Sequence, residues 1–174
     1  MKFKSIALLS LLATVLTLSS CANIKKKTTD GTADTSSDTG SMKDGKNDGM
    51  SLELNGDSDS NKAGALKTVY FDFNSAGLSA DTKETLNNNA QFLKSNPNVK
   101  IQVEGHTDER GGVQFNLSLG EKRAKTVREY LVGLGVQVAR IATISLGKEK
   151  PVSFGHDEES WSKNRRANFV VTTK

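Results

Sequence analysis

The densest set of groups able to do chemistry is Thr107-Asp108-Glu109-Arg110, set between glycines at Gly105 and Gly112. Arg123 follows, with Asn116 between them. A fixed carboxylate can hold an ammonium, and a guanidinium can hold a carboxylate through two parallel hydrogen bonds. On residue types alone, Asp108 and Arg123 read as an ion pair tying a loop to a helix. Hydrolysis would need a nucleophile with a base, a zinc cluster, or two carboxylates facing each other across a cleft. The chain has one cysteine, Cys21, and two histidines, His106 and His156, fifty residues apart. That spacing matches no metal motif, and no cofactor or intrachain disulfide is expected. His106 and His156 read as hydrogen-bonding loop residues, and Glu104 with Glu109 has no support as a glycosidase pair.

Elements must position these groups. Thr68 to Phe73 is rich in β-branched and aromatic residues and predicts a strand. Ser79 suits an N-cap, and Leu86, Ala90 and Leu93 share one helical face up to about Ser95. Val99, Ile101 and Val103 alternate with polar residues, as in a half-buried strand. Ser118 to Glu121 has the form of a capping box opening a second helix. Ala124, Val127, Leu131 and Leu134 form its apolar stripe, and Gly135 ends it. Ala142 to Leu146 predicts a third strand, and Asp157 to Lys163 a short helix. Ala167 to Thr173 is the last strand. The expected fold class is α/β: a βαβαβ unit plus a final strand, with two main helices on a small mixed sheet.

Composition divides the 174 residues into three parts. Residues 1–20 have a Lys2/Lys4 start, an apolar Ile6 to Leu18 run and small residues before Cys21, which is signal-peptide anatomy. The run is too short for a comfortable membrane span. Leu18-Ser19-Ser20-Cys21 resembles a bacterial lipobox, which implies acylation of Cys21 and a lipid anchor. Ala22 after it favours the outer membrane. Residues 21–65, the lipidated cysteine and a linker, lack aromatics and apolar periodicity and are expected to be disordered. In this reading Met50, Leu52 and Leu54 do nothing. Residues 66–174 hold the folded domain. Removing Lys2 and Lys4 lowers the formal charge from +4 to +2, too weak a footprint for nucleic-acid binding.

Several motifs in order then resemble the OmpA C-terminal-like family and its lipoprotein members. They are VYFDF from Val69, VEGHTDERG from Val103, the spaced Asn116, Leu119 and Arg123-Ala124, GKEKP from Gly147, and GHDE with WSKNRRA from Gly155. The resemblance spans Leu66 to Lys174. It implies non-covalent binding of diaminopimelate in the peptidoglycan stem peptide. By the same resemblance, Asp108 holds the ammonium and Arg123 the carboxylate. Asn116 braces the loop or meets the ligand, Arg110 reaches the peptide, and Phe73 with Asn74 lines the first loop. Asn74 stands where Asp is usual. Arg165 and Arg166 fall in the terminal motif, where packing or an ion pair is expected. The implied role is a structural binding protein rather than an enzyme. Its implied partners are the wall, the periplasmic TolB propeller of the Tol envelope system, and the outer membrane through the lipid anchor.

Overall fold

A computed structural model describes residues 51–174. The leader, Cys21 and the chain up to Met50 lie outside the described residues. The order is β1 (Val69–Tyr70), α1 (Ala80–Ser95), β2 (Lys100–His106), α2 (Val113–Gly133), a 3-10 turn (Val138–Arg140), β3 (Ile141–Gly147), α3 (Glu158–Asn164) and β4 (Arg166–Thr173). The sheet order is β1-β4-β2-β3. β4 runs antiparallel to both neighbours, whereas β2 and β3 are parallel and joined through α2. This is the expected α/β arrangement.

The expected stripes form the core. Leu86, Ala90 and Leu93 of α1 meet Val99, just before β2, Ile101 and Val103 of β2, and Ala124, Val127 and Leu131 of α2, all buried. Burying each large apolar side chain contributes roughly 1.5–3 kcal/mol. Ser79 caps α1 by accepting a bond from the Thr82 amide at 3.1 Å. Asp157 caps α3 through the Ser160 amide. Gly135 takes the left-handed conformation after α2, at φ +94°.

Three boundaries differ from the expected ones. β1 is two residues long, because after Phe71 the chain turns away through Asn74, at φ +51°, and leaves Phe73 exposed. α2 begins at Val113, five residues before the capping-box serine, with Gly112 at its N-cap and no side-chain cap. The Asn116 side chain instead donates to the Arg110 carbonyl at 3.0 Å, closing the preceding loop onto the helix's first turn.

The third difference is a correction to the linker. Residues 51–65 are built into the domain. Asn55 donates to the Val171 carbonyl, Val171 to Gly56, and Ser58 to Phe169, so this strap lies along β4 where β1 is too short to cover it. Leu52 bridges to Ala63 and packs against the core. Ala63 and Leu66 are fully buried. Asp59 accepts from Arg166 at 2.8 Å. The folded part therefore starts before Leu66. The strap escapes apolar periodicity because backbone hydrogen bonds and a few small buried side chains hold it.

Candidate functional site

The site is set by how closely α2 approaches the end of β2. A side chain at Gly105 would meet the Gly120 carbonyl oxygen at 1.9 Å, and one at Gly120 would meet the Gly105 oxygen at 2.7 Å. Only two glycines allow this contact. Asn116, Gly120 and Arg123 fall at i, i+4 and i+7, so the face of α2 that touches β2 also carries Asn116 and Arg123 under the loop. Both are buried, Arg123 completely.

Arg123 does not close on Asp108. Its Nε donates to the Ser75 carbonyl at 2.8 Å, Nη1 to His106 at 2.7 Å and Nη2 to Asp72 at 3.0 Å. It pins the loop after β1 to the end of β2. Burial lowers its pKa to about 10, although the nearby Asp108 charge opposes the shift. The group stays charged at neutral pH. A guanidinium has five N–H donors. Three are used, which leaves one on each terminal nitrogen without a partner among the described residues.

Asp108 is paired with two other arginines. Arg110 Nη2 lies 2.6 Å from its Oδ2, and the Arg110 amide donates to its Oδ1 at 3.1 Å. Arg165 Nη1 lies 3.4 Å from the same Oδ2. Arg165, buried in turn, also donates to the Phe71 carbonyl and pairs with Glu158 at 2.5 Å. Burial pushes the Asp108 carboxyl up, but the Arg110 hydrogen bonds and charge, with Arg165, outweigh it and hold the pKa below the usual value. The Arg110 guanidinium sits 4.0 Å from the Phe73 ring centroid and 4.1 Å from that of Trp161. Such stacking is favourable for arginine.

The six residues singled out in the sequence, Phe73, Asn74, Asp108, Arg110, Asn116 and Arg123, all line one narrow cleft. Thr107, Phe115, Leu119 and Arg165 complete it. A roomier hollow of about 470 Å³ lies between β1, α1 and α3. The narrow cleft is the better candidate because it brings a buried carboxylate and a buried guanidinium to one place. Asn116 acts as the loop brace. The predicted Asp108–Arg123 pair is corrected: two carbonyls of the loop after β1 and one at the end of β2 occupy Arg123, and Arg110 with Arg165 occupies Asp108. The sequence reading did not assign Trp161 to the site and left Arg165 as structural. A buried strand-end arginine needs an anion, and that signal could have pointed to Asp108.

The remaining charged groups lie elsewhere. His106 is buried with Nε2 3.7 Å from Glu104, and burial lowers its pKa against the opposing pull of that carboxylate. Glu109 accepts from Trp161 Nε1 at 2.9 Å and contacts His156 Nδ1 at 2.7 Å. Glu104 and Glu109 thus belong to separate sets.

Comparison with known proteins places this geometry in a family. Residues 70–165 match the OmpA family. The peptidoglycan-associated lipoprotein of Buchnera aphidicola subsp. Baizongia pistaciae is 39% identical over 171 residues, covering 98% of this chain and 99% of its own length. That of Agrobacterium fabrum is 48% identical over 103 residues, 59% of this chain but only 58% of its own length. The crystal structure of the peptidoglycan-associated lipoprotein from Burkholderia pseudomallei has a TM-score of 0.58 at 51% identity, covering 60% of this chain and 88% of that one. By sequence and by fold, the chain belongs to the OmpA family, among its peptidoglycan-associated lipoproteins.

Proposed function

We propose that the domain binds peptidoglycan non-covalently by gripping the free end of diaminopimelate in the stem peptide. One observation carries this reading: a single cleft offers a buried carboxylate, Asp108, and a buried guanidinium, Arg123, with two uncommitted N–H groups. The free end of diaminopimelate bears an ammonium and a carboxylate on one carbon, so it matches both charges at once. The lysine of other stem peptides has the ammonium without the carboxylate.

Cys21, acylated, would hold the chain in the outer membrane, with the domain in the periplasm. Two or more acyl chains give stable anchoring. From Cys21 to the strap at Ser51 the chain can span at most about 100 Å. Anchoring would raise the effective concentration of the domain at the wall. The protein would thereby tie membrane to wall within the Tol–Pal system, supporting envelope integrity and cell division. TolB would compete for the same face. No observation favours a wall hydrolase.

The test is a titration of the full chain with stem tripeptides ending in meso-diaminopimelate or in lysine. The diaminopimelate peptide should bind at least tenfold tighter. Equal affinity for the two peptides would defeat the reading.

A further inference from the structure

The cleft as it stands leaves no room for its ligand. It encloses about 10 Å³, room for about one water. Arg110 covers its carboxylate. Its guanidinium and amide take both oxygens of Asp108, and its flat face rests between Phe73 and Trp161.

Three arginines line this cleft, and they differ in freedom. Arg123 is wholly buried and bonded to three carbonyls. The Arg165 side chain is 7% exposed and holds Phe71, Glu158 and Asp108. The Arg110 side chain is 32% exposed and sits at the rim. Its Nε is buried without a hydrogen-bond partner among the described residues. An unpaired buried donor is costly, so Arg110 fits this place less well than its neighbours fit theirs. A second anion waits outside, Glu158 Oε2 at 3.7 Å. Arg110 can therefore leave Asp108 without losing all ionic contact.

Resting on the function proposed above, we infer that Arg110 is a stand-in cation that occupies Asp108 until a ligand ammonium replaces it. Binding is an exchange of cations on one carboxylate. A ligand with the ammonium restores the charge that Arg110 takes away. A ligand with only a carboxylate cannot, so Arg110 remains on Asp108 and such a ligand gains nothing from that carboxylate. The neighbouring aromatic rings hold Arg110 in its closed position, which makes Trp161, the only tryptophan in the chain, a reporter of the exchange.

The experiment uses the full chain, wild type and Arg110→Gln. The probes are two stem tripeptides, one ending in meso-diaminopimelate and one in 2-aminopimelate, whose free end lacks the ammonium. Wild-type Trp161 emission should shift on saturation with the first peptide and stay unchanged with the second. In Arg110→Gln only Arg165, 3.4 Å away and shared with Glu158, remains on Asp108. The preference for the diaminopimelate peptide should then widen by about tenfold, mainly because that peptide binds more tightly. An unchanged or narrowed preference, with wild-type binding intact, overturns the stand-in role and leaves the proposed function standing. If wild type does not bind the diaminopimelate peptide, both fall.

Discussion

Replacing Arg123 with methionine should destabilise the domain as well as weaken ligand binding. The side chain is fully buried and makes three hydrogen bonds to carbonyls of the loop after β1 and the end of β2. Bonds from a charged donor contribute roughly 1.5–3 kcal/mol each, or about 4–9 kcal/mol for the set. Burial works against them. A pKa lowered from 12.5 to about 10 corresponds to a cost on the order of 3 kcal/mol for the charged form. Methionine removes both terms and fills much of the space. Water can reach the carbonyls of Asp72, which is exposed, and of Ser75, but His106 is buried. The net loss should be about 2–4 kcal/mol, a large part of a typical domain's stability. For a domain of this size that is roughly 8–15 °C in Tm.

Urea unfolding followed by Trp161 emission and by circular dichroism measures this loss. A loss below about 0.5 kcal/mol would refute the argument and leave Arg123 as a ligand contact alone. Arg123→Lys separates the two roles further. It keeps a positive charge but has neither the fork nor the reach to three carbonyls, so it should be intermediate in stability. A pull-down that fails with an Arg123 variant is therefore interpretable only beside its unfolding curve.

Three further predictions follow from the same geometry. A chain truncated to begin at Leu66 should be about 3–6 kcal/mol less stable than one beginning at Ser51, since it loses three strap–β4 backbone bonds, the buried Ala63 and the anion of the buried Arg166; equal urea midpoints would count against the strap. Asp108 has a depressed pKa in the folded state, so its contribution is present above the unfolded value of about 4 and disappears as pH falls through the lower folded value. Asp108→Asn should accordingly lose less stability than wild type between about pH 4 and pH 2, and parallel curves would contradict this. His156 is held above its ordinary value by hydrogen bonding to Glu109; its contact is present at low pH and lost as pH rises through that raised value. Because Trp161 bonds the same Glu109 oxygen, its emission should titrate with a midpoint above about 6.5 and should not do so in His156→Gln.

The core was legible because burial imposes a period. Leu86, Ala90 and Leu93 had to share a face, and so did Ala124, Val127 and Leu131, and they form the core together. The side-chain cap at Ser79 was legible because it is a local contact within three residues, whereas the equally local cap at Asp157 was passed over. The start of α2 was not, since a long-range requirement placed it. The loop needs Asn116 inside the first helical turn to reach the Arg110 carbonyl, and the box at Ser118 is submerged in the helix. The residues lining the cleft were legible as a set through family motifs, but their pairing was not. Asp108 and Arg165 are 57 positions apart, and Arg166 and Asp59 107 apart; no local pattern connects them.

The same distinction explains why the strap and the site are linked. β4 begins at Arg166, directly after Arg165, and these two adjacent side chains go to different partners. Arg165 goes to the cleft and holds Asp108, whereas Arg166 goes to the strap and holds Asp59. Asn168, further along the strand, accepts from Ser58 of the strap and donates to Glu104 of β2. The strand that the strap fastens is thus the one that directly follows a residue of the cleft. That gives a physical reason for the polar stretch before Leu66 to be ordered: it secures β4 where β1 is too short to cover it. Under the anchoring proposed above, a pull on the chain before Ser51 would reach the strap's backbone bonds to β4 before it reached the core or the cleft.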